Sequence, residues 1–352
     1  MSTVDLRGKM GHKFLLGVDI GGTKIAAGVV DDSGRVLNSL RVPMRAQETA
    51  SIATDCVHLA VKQVLATPEG TKVAAIGIAS PGPLDQQSGI ILNAPNLPCW
   101  QNFPLRSEIE REYGLPVLLE NDANAAGLAE ALWGAGRGHA SVLYLTIGTG
   151  IGTALILDGA IYSGRTGAAP EGGHMTIDYR DPVICGCGKP GCVEGMVSGP
   201  AIGARVRWRV AEDLGRGERM LAAAGGNASA ITAEILFQAA RSHDPLALEI
   251  VDYVSDILAV WLGNLLDILE PHVVVIGGGV GSALTFHLED IRRRSLRWSL
   301  NSRSGEIPFL PAQYDVDAGM AGAAALWLQN SPAGTEVKTS PAVGTLRRKE
   351  GN

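Results

Sequence analysis

Four potential metal ligands lie close together in one stretch of the chain. His174 is followed by Cys185, Cys187 and Cys192, and glycines separate the cysteines. Three thiolates and one imidazole form a closed tetrahedral zinc site of the structural type, and the glycines would let the chain fold back so that the sulfurs face one point. Free buried thiols and a redox pair are the alternatives, but a redox pair usually has two residues between its cysteines, whereas Cys185 and Cys187 have one. The pattern predicts structural Zn²⁺.

Two carboxylates flank these ligands. Glu171 precedes His174 by three residues, and Glu194 follows Cys192 by two. A metal that orders the loop 171–194 would also fix both carboxylates, and carboxylates accept hydrogen bonds from several hydroxyl groups. We therefore expect this loop to bind a sugar. The remaining cysteines, Cys56 and Cys99, are isolated in the sequence and are interpreted as small apolar residues.

Three glycine-rich turns directly follow apolar strands, which favours a nucleotide site because backbone N–H groups can converge there on an anion. Neither the phosphate-binding loop pattern nor the dinucleotide fingerprint is present. Asp19 ends the strand before the first turn, where a carboxylate is costly without a cation. We therefore predict Mg²⁺ at Asp19, held largely through water, with simple capping of the turn as the alternative. The three turns are Gly21-Gly22-Thr23-Lys24, Gly148-Thr149-Gly150 and Gly277-Gly278-Gly279.

Asn121 and Asp122 lie between a predicted strand (116–120) and an alanine-rich helix. Helix capping is the ordinary role of both residue types. Beside a phosphate site and a sugar loop, however, Asp122 is the best candidate for a general base that accepts the proton of the sugar hydroxyl.

Strands alternate with helices along the chain, which indicates an α/β fold. Two segments, LLGVDIGGTKIAAGVV and VLYLTIGTGIGTALIL, share one plan of strand, glycine–threonine turn and strand. This repeat predicts two duplicated domains that each present a hairpin turn to a common cleft, although two unrelated hairpins would also fit it. We expect residues 214–230, rich in glycine and alanine, to form a mobile surface insertion.

Composition excludes several classes of protein. The 352 residues carry a formal charge of −6, which argues against general nucleic-acid binding. The basic run Arg347, Arg348 and Lys349 lies in a tail, 331–352, that we expect to be disordered. No segment reaches the roughly 18 apolar residues of a membrane span, and residues 1–13 form a short extension without the apolar core of a signal peptide. We expect a cytoplasmic protein.

The chain resembles the ROK family of bacterial sugar kinases and repressors, within the actin-like/hexokinase (ribonuclease H-like) ATPase fold. The resemblance implies a smaller domain of residues 14–132 plus about 315–330 and a larger domain of residues 133–314 that contains the loop 171–194. The matching motifs, in family order, are DIGGTK (19–24), PNL (95–97), ENDAN (120–124), GTGIG (148–152), EGGH (171–174), CGCGKPGCVE (185–194) and IGGGV (276–280).

The resemblance implies ATP-dependent phosphorylation of the 6-hydroxyl of a hexose, with Asp122 as catalytic base and Asp19 serving Mg²⁺. It also implies a homodimer or homotetramer that closes over its substrates. His174 would bind zinc through one ring nitrogen and face the sugar with the other. The sugar contacts would be Asn96, Asn121, Asp122, Glu171, His174 and Glu194, and the ATP contacts Gly21, Gly22, Thr23, Lys24, Thr149, Gly150, Gly277, Gly278 and Gly279.

Glucose is the expected hexose. N-Acetylmannosamine and N-acetylglucosamine are the main alternatives, fructose and mannose are less expected, and polyphosphate is an alternative donor. A non-catalytic sugar sensor is a further alternative, but only about 13 residues precede the first strand, too few for the DNA-binding module of the family's repressors. The chain departs from the family pattern at Thr153-Ala154 and at Pro170. Neither departure removes a chemical group, but both affect the expected loop shape.

Overall fold

We describe residues 14–180 and 183–329 in a computed structural model of the protein. The predicted extension 1–13 and tail 331–352 lie outside the described residues. The strands are β1 (Phe14–Ile20), β2 (Lys24–Val30), β3 (Val36–Pro43), β4 (Val73–Ser80), β5 (Leu84–Asp85), β6 (Ile90–Ile91), β7 (Val117–Asn121), β8 (Ser141–Ile147), β9 (Ile151–Leu157), β10 (Ala160–Ile161), β11 (Val273–Gly277) and β12 (Phe309–Pro311). The helices are α1 (Ala50–Leu65), α2 (Leu105–Tyr113), α3 (Asp122–Leu132), α4 (Val193–Val197), α5 (Gly199–Glu212), α6 (Leu214–Ala223), α7 (Ala233–Arg241), α8 (Pro245–Leu269), α9 (Gly278–Ala283), α10 (Leu288–Ser295) and α11 (Ala318–Ala325).

Two five-stranded sheets repeat the same topology. Their strand orders are β3-β2-β1-β4-β7 and β10-β9-β8-β11-β12. In each sheet the central strand pairs antiparallel with the next strand of the chain (β1 with β2, β8 with β9) and parallel with a later strand (β1 with β4, β8 with β11). The predicted α/β fold of two duplicated units is therefore confirmed, whereas the domain limits stay a prediction.

Two helices lie between the sheets. Helix α11 packs on β1 and β4 of the first sheet, α3 packs on β8 and β9 of the second, and the two helices contact each other. Glycine makes these contacts possible. An added Cβ on Gly17 would lie 1.9 Å from the Met320 carbonyl oxygen, and one on Gly322 would lie 1.8 Å from that of Ala125. The backbones therefore approach too closely for any side chain at these two positions.

The outer face of each sheet carries its own hydrophobic core. In the first half, α1 and α2 cover the sheet, and Trp100 is fully buried there. In the second half the core surrounds the long helix α8, which buries Trp261. This helix begins as its sequence predicts, because Asp244 accepts the Ala247 N–H at 3.0 Å and Pro245 occupies the first turn. Within the described residues, no helix is long and apolar enough to cross a membrane.

Residues 214–230, expected to form a mobile surface insertion, contain a helix that the sequence did not indicate. They form α6 and a short 3₁₀ turn (Ala228–Ala230). Asp213 caps α6 by accepting the Arg216 N–H at 3.1 Å, and Met220 is fully buried. Glycine disfavours helices, but Gly217 lies against Val210, where an added Cβ would be 2.7 Å from Val210 Cγ1. Its missing side chain therefore lets α6 pack on α5.

Candidate active site

Two cavities adjoin each other at the turn between β8 and β9. The first, of about 550 Å³, is lined by residues from both halves of the chain, and we call it the sugar-side cavity. The second, of about 740 Å³, lies on the other side of Gly148 and Thr149, which line both cavities; we call it the nucleotide-side cavity. The sugar-side cavity contains all six residues predicted to contact a sugar: Asn96, Asn121, Asp122, Glu171, His174 and Glu194.

Asp122 is positioned by the junction of β7 and α3. Asn121 caps the helix, because its Oδ1 accepts the N–H groups of Ala123 at 3.0 Å and Asn124 at 3.2 Å. The neighbouring Asp122 Oδ1 accepts the Ala123 N–H at 2.8 Å. Capping, the alternative role considered for these residues, is therefore real, and Asp122 nevertheless lines the sugar-side cavity. The helix end holds the carboxylate in place.

Three carboxyl groups of this region, those of Asp122, Asp19 and Glu171, have raised pKa values. Burial raises the pKa of Asp122, against the opposing effect of hydrogen bonds from Ala123 N–H and the Asn121 side chain. Burial and then the Asp122 charge raise the pKa of Asp19 to about 6, although Lys24 and Arg41 oppose this. Burial also raises the pKa of Glu171. Asp122 and Glu171 both line the sugar-side cavity, and groups with raised pKa values in a cleft are typical of acid–base sites.

The four predicted metal ligands converge on one point. Their ligand atoms all lie within 4.8 Å of one another. Cys187 Sγ is 3.8 Å from Cys192 Sγ, and Cys185 Sγ is 3.7 Å from His174 Nδ1. A tetrahedron with metal–sulfur bonds of about 2.3 Å has edges of about 3.8 Å, so the cluster fits one zinc ion. Within the described part of the chain, it is the one group of three or more such ligands.

A tight backbone turn shapes the cysteine segment. The Cys185 N–H donates to the Lys189 carbonyl at 2.9 Å, and the Gly188 N–H donates to the Cys185 carbonyl at 2.9 Å. Gly188 has φ of +87°, a conformation that glycine adopts without strain. Lys189 Nζ also donates to the His174 carbonyl at 2.9 Å, which connects the turn to the histidine. His174 presents Nδ1 to the sulfurs while the same residue lines the sugar-side cavity.

Glu194 connects the cysteine segment to the turn between the two cavities. Its Oε2 accepts the Ile151 N–H at 2.9 Å, at the start of β9. Its Oε1 is 3.5 Å from Cys185 Sγ and 3.9 Å from His174 Nδ1. Both carboxylate oxygens therefore have protein partners, which the sequence did not reveal.

The two departures from the family pattern contact each other. Thr153 Oγ1 donates to the Pro170 carbonyl at 3.0 Å and accepts the Gly172 N–H at 2.9 Å. The Gly172 carbonyl in turn accepts the Trp261 Nε1–H at 3.0 Å. Glu171 lies between these anchored residues and lines the cavity. Thr153 therefore helps to fix the segment that presents Glu171.

The residues predicted to bind the nucleotide fall into three groups. Lys24, Thr149 and Gly279 line the nucleotide-side cavity, and Gly150 lines the sugar-side cavity. The turn Gly21–Thr23, the glycines Gly277 and Gly278, and the predicted magnesium ligand Asp19 line neither. Gly22 instead contacts the Asn96 backbone, where an added Cβ would lie 2.8 Å from the carbonyl oxygen.

Sequence reasoning missed most of the nucleotide-side wall, because these residues lie on helices without a recognisable motif. Arg207 on α5 donates to the Ile231 carbonyl at 2.8 Å, and Phe237 on α7 is almost fully buried. The start of α5 also touches the shared turn, since the Gly199 N–H donates to the Gly148 carbonyl at 2.8 Å. Val280 ends the motif IGGGV, and the wall residues that the sequence did not indicate are Gly199, Pro200, Gly203, Arg207, Thr232, Ala233, Glu234, Phe237 and Ala283.

The repeated sheets and the cavities beside the repeated hairpin turn define an α/β protein with the actin-like/hexokinase (ribonuclease H-like) ATPase fold. The ROK family model matches residues 15–330. The chain belongs to the ROK family.

Several proteins similar to this chain are named as glucokinases. A glucokinase from Thermotoga maritima is 35% identical over 312 residues, which are 89% of this chain and 96% of the relative. A glucokinase from Streptomyces coelicolor is 34% identical over 318 residues, 90% of this chain and 98% of the relative. The crystal structure of a ROK family glucokinase from Streptomyces griseus, in complex with glucose and AMPPNP, superposes with a TM-score of 0.78 at 36% identity and covers 89% of this chain and 98% of that one.

Proposed function

We propose that this protein is a glucokinase that transfers the γ-phosphoryl group of ATP to the 6-hydroxyl of glucose. Its similarity to glucokinases over most of their length supports this activity. The observation that carries the proposal is the position of Asp122. Burial raises the pKa of its carboxyl group, and the residue lines a cavity that shares Gly148 and Thr149 with a second, larger cavity. A base, an acceptor site and a donor site are then adjacent.

In this proposal the sugar occupies the sugar-side cavity and ATP the nucleotide-side cavity. Asn96, Asn121, Glu171, His174 and Glu194 hold the sugar hydroxyls, and Asp122 accepts the proton of the 6-hydroxyl as phosphoryl transfer proceeds. Such catalysis depends mainly on positioning and on neutralising charge. Lys24 and the backbone of the shared turn supply positive charge and N–H groups beside the phosphates. Closure of the two halves would exclude water and limit hydrolysis of ATP.

Two metals belong to the proposal. Zn²⁺ would be held by His174, Cys185, Cys187 and Cys192, and it would order the loop that carries Glu171 and Glu194. Mg²⁺ would accompany ATP, with Asp19 as its protein anchor, largely through water. Zinc would have a structural role, because the four ligands leave no open position for a substrate.

A panel of sugars tests the activity. The protein is assayed for ADP release with ATP, Mg²⁺ and glucose, fructose, mannose, N-acetylglucosamine or N-acetylmannosamine, and with polyphosphate as donor, and kcat/KM is compared. We expect the highest kcat/KM for glucose with ATP. A higher value for N-acetylmannosamine or N-acetylglucosamine would replace glucose as the substrate. The absence of sugar-dependent ADP release would contradict the kinase itself and favour a sugar sensor.

We further propose a cytoplasmic homodimer or homotetramer without a nucleic-acid or membrane partner. The support is the resemblance to the family and the acidic charge of −6. Light scattering coupled to gel filtration measures the mass of the assembly against the 36.8 kDa of one chain. A mass of one chain at micromolar concentration would contradict the assembly.

A further inference from the structure

A small side chamber adjoins the sugar-side cavity. Its volume is about 60 Å³, several times the roughly 10–15 Å³ that one water molecule requires. Its wall joins the loop after β4 to the segment before Glu171. The residues that line both spaces are Gly82, Pro83, Asn121, Pro170 and Glu171.

Asn124 lines this side chamber, and its side chain has one unmatched polar atom. The residue is only 3% exposed. Its Nδ2 donates to Glu120 Oε1 at 3.1 Å, whereas no donor among the described residues reaches its buried Oδ1. Buried side-chain oxygens in proteins almost always accept a hydrogen bond, so this acceptor points to a ligand.

The orientation of the Asn124 amide is fixed by Glu120. Glu120 Oε1 also accepts the Asn121 N–H at 2.8 Å and the Gln86 side-chain amide. A reversed Asn124 amide would place its own oxygen against this acceptor, which is unfavourable. The Nδ2 therefore stays on Glu120, and the buried Oδ1 stays without a donor among the described residues.

We propose that the side chamber is a subsite for one small O–H donor that hydrogen-bonds to Asn124 Oδ1. The donor is either a hydroxyl of the bound hexose or a water molecule beside it, since both have the same hydrogen-bonding chemistry. Asn124 is then a specificity residue, two residues beyond the proposed catalytic carboxylate of Asp122. This inference rests on the proposed function of the neighbouring cavity.

Two substitutions remove the subsite in different ways. Asn124→Ala removes the acceptor. Gly82→Ala leaves Asn124 intact and adds a methyl group to the wall of the chamber, which narrows the space. The methyl group fits without a clash, because it would lie no closer than 3.8 Å to any neighbouring atom. Gly215→Ala, at an exposed position of α6, is the matched control for a glycine-to-alanine change. Each variant is assayed with glucose and with its 2-, 3- and 4-deoxy analogues.

We expect Asn124→Ala and Gly82→Ala to lower kcat/KM for glucose about 2- to 10-fold, mainly through KM, and Gly215→Ala to leave it unchanged. If the donor is a sugar hydroxyl, the wild-type enzyme should have a kcat/KM that is lower by this factor for one deoxy analogue than for glucose. Asn124→Ala should cause no further decrease in kcat/KM for that analogue. If the donor is water, Asn124→Ala loses the same factor with every sugar. Both results support the subsite.

Unchanged kcat/KM in Asn124→Ala for every sugar, in a variant with native thermal stability, would overturn the proposal. A crystal structure of the wild-type protein with glucose gives an independent readout. An oxygen atom of sugar or water within 3.5 Å of Asn124 Oδ1 supports the subsite, and an empty chamber there refutes it. Failure of the kinase function would look different, because the wild-type enzyme would release no ADP with any hexose, and the crystal structure would still decide on the chamber.

Discussion

Glu194 Oε2 accepts the backbone N–H of Ile151 at 2.9 Å, and this hydrogen bond joins the cysteine segment to the turn between the two cavities. Gly150, in that turn, is held so close that an added Cβ would lie 2.8 Å from the same carboxylate oxygen. A residue predicted to hold sugar therefore also fixes the backbone of the turn between the two cavities.

This contact predicts different effects for two substitutions of Glu194. Glu194→Gln keeps an oxygen for the Ile151 N–H, whereas Glu194→Ala leaves that N–H without its acceptor. We expect both variants to raise KM for glucose about 10-fold or more, because hydrogen bonds to a charged group are lost. Only Glu194→Ala should also raise KM for ATP, because it frees the shared turn, whose residue Thr149 lines the nucleotide-side cavity. Equal KM values for ATP in the two variants would contradict the link, and Glu112→Gln, on an exposed site, is the control.

Loss of one sulfur ligand should remove metal and sugar binding together. Cys187 is exposed, so Cys187→Ser places no polar group in the core. We expect the zinc content to fall well below one ion per chain and the Kd for glucose to rise, measured by elemental analysis and calorimetry. Cys99→Ser, at a partly buried site outside the cluster, should change neither. Unchanged glucose affinity in a zinc-free protein would break the proposed connection.

Asp122→Asn should separate binding from chemistry. The amide keeps the shape of the side chain but accepts no proton, so we expect kcat to fall about 10²- to 10⁴-fold and glucose affinity to change little. In the wild-type enzyme, Asp122 must be ionised to act, and burial raises its pKa above the ordinary 3.8. Activity should therefore fall with decreasing pH at a midpoint above 3.8, and the variant should lack this dependence. Near-wild-type turnover in Asp122→Asn would exclude the residue as the base.

The ionised carboxylate of Asp19 should destabilise the ligand-free protein at neutral pH. Its pKa is raised from 3.8 to about 6 in the folded chain, so the folded state binds the proton more tightly than the unfolded state. Stability therefore decreases as pH rises from about 4 to 6. In Mg²⁺-free buffer we expect Asp19→Asn to raise the free energy of unfolding at pH 7 by on the order of 1–3 kcal/mol, and by much less at pH 4. A gain that does not depend on pH would contradict this origin.

Glu130 should stabilise the two segments that connect the sheets, one after α3 and one before α11. It is fully buried, and its carboxylate accepts the N–H groups of Ala135 at 2.9 Å and of Gln313 and Tyr314 at 2.8 Å each. These donors follow α3 and precede α11, so one side chain ties both connecting segments. Glu130→Gln keeps only one acceptor oxygen, and we expect a loss of about 1.5–3 kcal/mol in the free energy of unfolding. Denaturant titration measures it, with Glu112→Gln as control; equal stability of the two variants would contradict the role.

Local patterns predicted the parts of this protein that depend on neighbours in the chain. The apolar run before Gly21 and the one before Gly148 each formed the expected hairpin, because a buried strand and a glycine turn are both specified within about 16 residues. The Cys185–Cys192 spacing likewise brought its sulfurs together. Helix α6 was missed because burial of Met220 outweighs the poor helix propensity of its glycines.

Contacts between distant segments could not be predicted from the sequence. Arg207 and Phe237 lie on helices that resemble any other surface helix in their spacing, and only the packing of α5 and α7 brings them to one cavity. The hydrogen bond between Thr153 and Pro170 joins positions 17 residues apart, and the one between Glu194 and Ile151 joins positions 43 apart. Neither pair has a local signature, because each depends on how the whole second half folds.

The Cys₃His cluster has a consequence for where and when such an enzyme could work. Of its three thiols, Cys187 is exposed while Cys185 and Cys192 are buried, so an oxidant would reach Cys187 first. In the proposed function, its oxidation would release the structural zinc ion, and the loop that carries Glu171 and Glu194 would lose its order as a result. The supply of phosphorylated sugar would then follow the reducing state of the surroundings.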